Sequence, residues 1–97
     1  MDILIRAKHE RVEHKFEKNL LKEYGGELPD DLYCYWTGIH PNRPNLNKVM
    51  FTDGTTVYAE GKITDVDEDD GLCFEPLNEV NYPQPKKAPT RGFTYVA

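Results

Sequence analysis

Apolar residues recur at every fourth position near the start of the chain. The row consists of Val12, Phe16, Leu20 and Tyr24. Residues at this spacing lie along one face of an α-helix, and the Gly25-Gly26 pair that follows can adopt the left-handed conformation that ends one. The pattern therefore predicts an amphipathic helix over residues 8–24, preceded by a short strand over residues 2–6.

Beyond residue 31 the helical spacing gives way to short runs rich in aromatic and β-branched residues. These runs predict strands over residues 32–37, 48–52, 55–66, 72–75 and 92–96. Asp53-Gly54 and residues 67–71 have the composition of hairpin turns. The proline-rich segments 38–47 and 76–89 are predicted to be irregular.

The longest predicted strand alternates between apolar and polar side chains. Its apolar positions are Val57, Ala59, Gly61 and Ile63. Because successive side chains of a strand point to opposite faces, these four are expected to share one face of a sheet. Val66 breaks the alternation, which predicts a bulge or bend near Asp65.

Together these elements predict one α+β domain spanning residues 1–97. Its expected architecture is one N-terminal amphipathic helix packed on a small antiparallel, partly closed β-barrel. Ninety-seven residues suffice for one modest core. No apolar run is long enough for a membrane span or a secretory signal, so we expect a cytoplasmic protein that does not associate with membranes, with Cys34 and Cys73 as buried free thiols.

The net charge of −5 is unevenly distributed along the chain. Residues 1–24 carry six basic and five acidic side chains, residues 25–80 carry three and twelve, and residues 81–97 carry three and none. A chain that is acidic overall is a poor candidate for indiscriminate nucleic-acid binding. A local basic face is compatible with an acidic net charge, because recognition depends on where the charges lie.

Such a face is predicted on the helix. If residues 8–24 are continuously helical, Lys8, Arg11, Lys15, Lys18 and Lys22 fall within one stripe. Like charges at this spacing repel one another, so their segregation costs a little stability. Two interpretations follow: a solvated surface, or a face that binds anions such as nucleic-acid phosphates.

Aromatic residues accompany basic ones elsewhere in the chain, including the C-terminal Lys86 and Lys87. Bases stack on aromatic rings while cations hold phosphates, so this mixture suits single-stranded nucleic acid. The complete set of predicted nucleic-acid-binding residues is Lys8, Arg11, Lys15, Lys18, Lys22, Arg43, Lys62, Arg91, Tyr35, Trp36 and Tyr58.

Motifs of catalysis and metal binding are missing from the sequence. There is no serine, no nucleophile elbow and no glycine-rich phosphate loop. The acidic run 65–71 fails the EF-hand spacing, because Asp70 occupies the glycine position and Pro76 the position of the bidentate glutamate. The sequence therefore predicts neither a metal nor a cofactor, and leaves enzymatic activity uncertain.

Three segments in the second half of the chain carry a family pattern. They are Val57-Tyr58-Ala59-Glu60-Gly61-Lys62-Ile63-Thr64-Asp65-Val66, Leu72-Cys73-Phe74-Glu75-Pro76-Leu77 and Gly92-Phe93-Thr94-Tyr95-Val96. This succession resembles the C-terminal half of ASCH-type domains of the PUA-like superfamily. The resemblance implies a PUA-like barrel and makes Glu60 a candidate catalytic carboxylate. The Gly-x-Lys-x-x-Glu-x-Arg-like motif of that family is not found near the helix.

Three functions are compatible with these observations. The leading one is a small nucleic-acid- or nucleotide-binding module, with RNA or a single strand as its partner. The second is an acidic inhibitor or adaptor of the phage or mobile-element type, which binds a nucleic-acid enzyme through residues 60–75. The third, implied by the resemblance, is a small amidohydrolase acting on a modified nucleoside, with Glu60 as acid and base and a lysine as its partner.

Overall fold

A computed structural model of the chain describes all 97 residues and consists mainly of one seven-stranded sheet. The strands are β1 (Asp2–Arg6), β2 (Cys34–Trp36), β3 (Lys48–Thr52), β4 (Thr56–Asp67), β5 (Gly71–Phe74), β6 (Asn78–Pro83) and β7 (Thr94–Val96). The only α-helix is α1 (Glu17–Glu23). The strand order is β2-β5-β4-β3-β1-β7, and β6 pairs with β4 beside this path.

The sheet is mixed and open, so the predicted antiparallel, partly closed barrel is wrong. β1 pairs parallel with β3, with Ile3 opposite Val49, and antiparallel with β7, with Ile3 opposite Tyr95. β2 and β7 end the strand order and do not pair with each other. Alternation within a strand reveals which residues share a face but not the direction of its neighbours. The long connection between β1 and β3 permits the parallel pairing.

The predicted continuous helix over residues 8–24 is also wrong. Two 3-10 turns, His9–Arg11 and Glu13–Lys15, precede α1, and Phe16 between them and α1 is extended. The backbone N–H of Glu17 donates to the Leu77 carbonyl at 2.8 Å, and the N–H of Leu77 donates to the Lys15 carbonyl at 2.9 Å. Because this bridge occupies backbone groups that a helix would use, the helical pattern is interrupted there.

The apolar row of the first segment is nevertheless buried. Val12, Phe16 and Leu20 belong to the main core, whereas Tyr24 is 45% exposed, contrary to the expectation that it continues the row. A tight turn followed by one extended residue preserves the spacing of four without a continuous α-helix. The prediction of which side chains are buried is therefore confirmed for three of the four positions.

Apolar side chains cover both faces of the central strands. The main core contains Ile3, Ile5, Val49 and Phe51. The smaller core on the other face contains Leu4, Met50, Val57 and Ala88, with Val80 and Tyr82 packed against it. The strand β6, which the sequence predicted to be irregular, supplies these last two side chains. Its exposed and half-buried residues lack the apolar content by which a strand is recognised.

β4 changes partners and faces along its length. Its first part pairs with β3 and β6, and its last part pairs with β5. A register shift between Ile63 and Asp65 confirms the predicted bulge. A second shift between Val57 and Ala59 places Val57 in the smaller core and Ala59 in the main one. Only three of the four alternating residues therefore share a face as expected.

Candidate nucleic-acid interface

The strand β2 ends the sheet and presents aromatic rings to both sides. Tyr35 lies opposite Cys73 and Trp36 lies opposite Leu72, so their side chains point to opposite faces. Trp36 packs its ring against Phe51 in the main core, with ring centroids 5.3 Å apart. Tyr35 is 48% exposed. The sheet therefore fixes one ring and leaves the other available to a ligand.

Two cations from the 3-10 turns lie over these rings. The Arg11 Cζ atom is 4.9 Å from the Trp36 ring centroid. The Lys15 Nζ atom is 6.0 Å from the same centroid and 5.9 Å from that of Tyr35. We call Arg11, Lys15, Tyr35 and Trp36 the cation–aromatic platform. The backbone of Lys15 is positioned by its 3-10 turn and by the hydrogen bond that its carbonyl accepts from the Leu77 N–H. This position brings the Lys15 side chain to the two rings.

The charges of the platform are not neutralised within the chain. The three ion pairs are His9–Glu13, Lys18–Glu79 and Lys48–Glu60, and none includes Arg11 or Lys15. Partial burial lowers the pKa of Lys15, and the neighbouring Arg11 lowers it further, while Cys34 acts in the opposite direction. Burial, and then the charge of Lys15, lower the pKa of His14, whose Nε2 lies 2.9 Å from the Lys15 amine. The site is thus electropositive and lacks a counterion.

A cleft of about 620 Å³ extends from Arg11 toward the end of β1. We call it the basic cleft, and its lining residues are Arg6, Ala7, Lys8, Glu10, Arg11, Asp53 and Thr90. The N–H of Ala7 donates to the Thr52 carbonyl at 3.1 Å, and its carbonyl accepts from the Tyr58 hydroxyl at 2.7 Å. These two bonds hold the backbone between Arg6 and Lys8 against the sheet.

Two other helix-stripe residues lie outside this arrangement. Lys18 forms an ion pair with Glu79 of β6, so its charge is compensated. Lys22 is exposed near the end of α1. The single stripe expected on a continuous helix is not formed, because the segment is not continuously helical.

The remaining predicted residues are dispersed over the molecule. Arg43 stacks over Tyr95 of β7, at the opposite end of the strand order from β2, with 4.2 Å between its Cζ and the ring centroid. Lys62 lies opposite Lys48 on the face of the smaller core. Arg91 is exposed before β7. Tyr58 is half-buried and bonded to Ala7, which makes it a support of the basic cleft.

Glu60 is also on the face of the smaller core, away from Trp36. It accepts a hydrogen bond from the Tyr82 hydroxyl at 2.6 Å and lies 3.5 Å from the Lys48 amine. Burial and the bond to Glu60 raise the pKa of Tyr82. Glu60, Tyr82 and Lys48 thus form a polar cluster that links β4, β6 and β3.

A second cleft, of about 390 Å³, is strongly acidic. Six carboxylates line it, from Asp30, Asp31, Asp65, Asp67, Asp70 and Glu75, together with Leu32, Tyr33, Thr64 and Cys73. The Tyr33 hydroxyl donates to Asp70 at 2.9 Å, and this bond raises the pKa of Tyr33. We call it the acidic cleft. It contains no basic side chain, in contrast to the basic cleft.

The set of predicted site residues did not include Arg6 or Tyr33. Arg6 reaches the basic cleft because β1 runs parallel to β3, which places Arg6 opposite Thr52 and next to the Asp53-Gly54 turn. A methyl group at Gly54 would lie 3.2 Å from the Arg6 guanidinium, so glycine leaves the room that this side chain occupies. Because glycine is common in hairpin turns, Gly54 did not indicate in the sequence that an arginine side chain lies beside it.

No group of three or more histidine, cysteine, aspartate or glutamate side chains is arranged to hold a metal ion. Neither α1 nor the 3-10 turns have the length and apolar character needed to cross a membrane. The chain matches no protein-family model, no curated protein and no solved structure. The resemblance to ASCH-type domains therefore stays a prediction.

Proposed function

We propose that the protein binds nucleic acid or a nucleotide through the cation–aromatic platform. The observation that carries this proposal is the position of two cations, Arg11 and Lys15, over one indole ring with no carboxylate partner. One cation–π contact at an exposed site contributes about 0.5–1 kcal/mol to stability. A second cation on the same ring adds repulsion, which a bound phosphate would relieve.

The exposed ring of Tyr35 supplies the second element of such a site. A base stacking on an aromatic side chain contributes about 1–3 kcal/mol, largely independent of sequence. The Lys15 amine lies 5.9 Å from the Tyr35 ring centroid, so a phosphate next to this amine would leave the attached base within reach of Tyr35. The platform combines the two interactions that single-stranded nucleic acid offers.

The test is a binding titration of a labelled single strand at several salt concentrations. Replacing Arg11 and Lys15 with glutamine should weaken binding and reduce the log–log salt slope by about 0.7 for each phosphate that the protein no longer neutralises. Tyr35→Ala should weaken binding at every salt concentration while leaving the slope unchanged, because it removes stacking only.

Lys22→Gln is the matched control, since it removes the same charge from an exposed position outside the platform. Thermal unfolding of each variant verifies that the fold is retained. Absence of binding by the wild-type protein at low salt would reject the proposal, and so would equal binding by the Arg11/Lys15 variant.

A second candidate function is binding of a cationic protein segment in the acidic cleft. The specific observation is the convergence of six carboxylates around the exposed Tyr33 without a single basic side chain. Asp30→Asn with Asp31→Asn should reduce binding of a lysine- and arginine-rich peptide and leave nucleic-acid binding unchanged. Peptide binding that is insensitive to these substitutions would exclude the cleft as the site.

A further inference from the structure

The basic cleft and the cation–aromatic platform share Arg11. Its guanidinium lies over Trp36, and Arg11 also lines the cleft with Arg6 and Lys8. None of these three cations takes part in an ion pair. The side chains of Arg6, Lys8 and Arg11 are all exposed, so they can reach a ligand without rearrangement of the core.

The two carboxylates of the cleft differ in their availability. Asp53 accepts hydrogen bonds from the backbone N–H groups of Thr55 and Thr56, each at 2.9 Å, and from the Thr55 hydroxyl at 3.1 Å. These bonds lower its pKa and commit it to the turn. Glu10 makes no hydrogen bond or ion pair and is exposed at the cleft. The three cations of the cleft therefore lie near two carboxylates, of which Asp53 is hydrogen-bonded within its turn and Glu10 has no partner.

We propose that the basic cleft holds a second phosphate of the ligand, so that the ligand is a single-stranded oligonucleotide and not a mononucleotide. This inference rests on the proposed function, because it assigns the neighbouring phosphate to the platform. Arg11 contacts both positions, as expected where one backbone passes from the platform into the cleft. A single strand is required because a base in a duplex is stacked and paired and cannot lie on Tyr35.

Replacing Glu10 is expected to change the affinity for an oligonucleotide in the opposite direction from replacing a cation of the cleft. A free carboxylate beside a bound phosphate repels it, so Glu10→Gln should strengthen binding of an oligonucleotide. Lys8→Gln, two residues away, should weaken it. A purely structural role of this segment would not produce opposite effects from two exposed, conservative substitutions.

The experiment measures the affinity of thymidine monophosphate and of labelled oligothymidylates of increasing length by competition and fluorescence anisotropy. For the wild-type protein, affinity should rise from the mononucleotide to the dinucleotide and longer strands. Lys8→Gln should remove most of this rise and lower the salt slope by about 0.7, with no effect on the mononucleotide. Lys22→Gln should leave all affinities unchanged, and oligouridylates in a parallel series distinguish RNA from DNA.

The outcomes separate this inference from the proposed function. If wild type binds the mononucleotide and longer strands equally, and Arg11 and Lys15 remain essential, the platform stands and the second phosphate position is rejected. If binding is unaffected by Lys8→Gln and Glu10→Gln, the cleft is likewise rejected. If a duplex competes as well as the single strand, the requirement for an unpaired base is wrong. If no nucleotide binds, both proposals are overturned.

Discussion

Tyr58 shows how one half-buried hydroxyl supports a charged surface. Its hydrogen bond to the Ala7 carbonyl secures the backbone between Arg6 and Lys8, and its ring contacts that of His9, with centroids 5.1 Å apart. Burial raises the pKa of Tyr58 from 10.0 to about 12. The neutral hydroxyl is therefore favoured in the folded protein more than in the unfolded chain.

This difference predicts a pH-dependent contribution to stability. Because the folded pKa is the higher one, the stabilisation is complete below pH 10 and is lost as the pH rises toward 12. Tyr58→Phe should lower the free energy of unfolding by about 1 kcal/mol at neutral pH, through loss of the hydrogen bond. The gap between wild type and variant should then narrow above pH 10.

Urea unfolding at a series of pH values measures this gap. Other groups that titrate in the alkaline range are common to both proteins, so their effects cancel in the difference. A gap that stays constant through the alkaline range would contradict the raised pKa of Tyr58.

At the scale of elements, β4 depends on a close approach at Gly61. A methyl group there would lie 2.8 Å from the Leu77 Cδ2 atom and 3.0 Å from the Glu75 carbonyl oxygen. Leu77 is 1% exposed and forms the bridge to Phe16, so it has little freedom to move. Glycine is required here by the space between two segments and not by backbone conformation.

We expect Gly61→Ala to destabilise the fold by about 1–3 kcal/mol, the usual cost of overpacking a core. Lys62→Ala, at the adjacent exposed position of the same strand, serves as the control and should change stability by less than about 0.5 kcal/mol. Chemical denaturation of both variants measures these changes in the free energy of unfolding. Equal stabilities would show that the segment containing Leu77 can move to make room for a methyl group.

The elements also show what the sequence could and could not predict. Composition and alternation predicted β3 with its bounds Lys48–Thr52, the bulge near Asp65 and the burial of Phe16. The predicted helix is too long, because apolar residues spaced by four can also share a face in 3-10 turns. Here the backbone after those turns is held by hydrogen bonds to a remote residue, Leu77. Local pattern carries no information about such a partner.

The same limit applies to the candidate site. Arg11, Lys15, Tyr35 and Trp36 are four of the eleven residues predicted from residue type and spacing, and the structure brings these four together. Their separation from Arg43 and Lys62, and the inclusion of Arg6, depend on strand order and on the parallel pairing of β1 with β3. Pairings between segments distant in sequence are properties of the folded chain, and no short window of residues contains them.

At the scale of the whole molecule, the free cations and the largest group of carboxylates lie in different clefts. Tyr33, just before β2, lines the acidic cleft, whereas Trp36 at the end of β2 lies under Arg11. The six carboxylates of the acidic cleft repel one another without a cation among them. Negative charge is therefore concentrated where it opposes folding.

Relief of this repulsion should be measurable. Asp31→Asn removes one exposed carboxylate that makes no hydrogen bond, so it should raise stability by a few tenths of a kcal/mol at low salt. Screening weakens the repulsion in both proteins, and the difference should vanish at about 1 M salt. Thermal unfolding at the two ionic strengths is the measurement; a gain that persists at high salt would indicate a cause other than charge.

The pairing of β1 with both β3 and β7 has a consequence for synthesis on the ribosome. β1 is made before both of its neighbours in the sheet, Lys48–Thr52 and Thr94–Val96. Its buried residues Ile3, Leu4 and Ile5 therefore emerge long before the strands that flank them. Such distant pairings slow folding and leave apolar strands exposed in the meantime. The nascent chain should thus be a substrate for chaperones until β7 has left the exit tunnel.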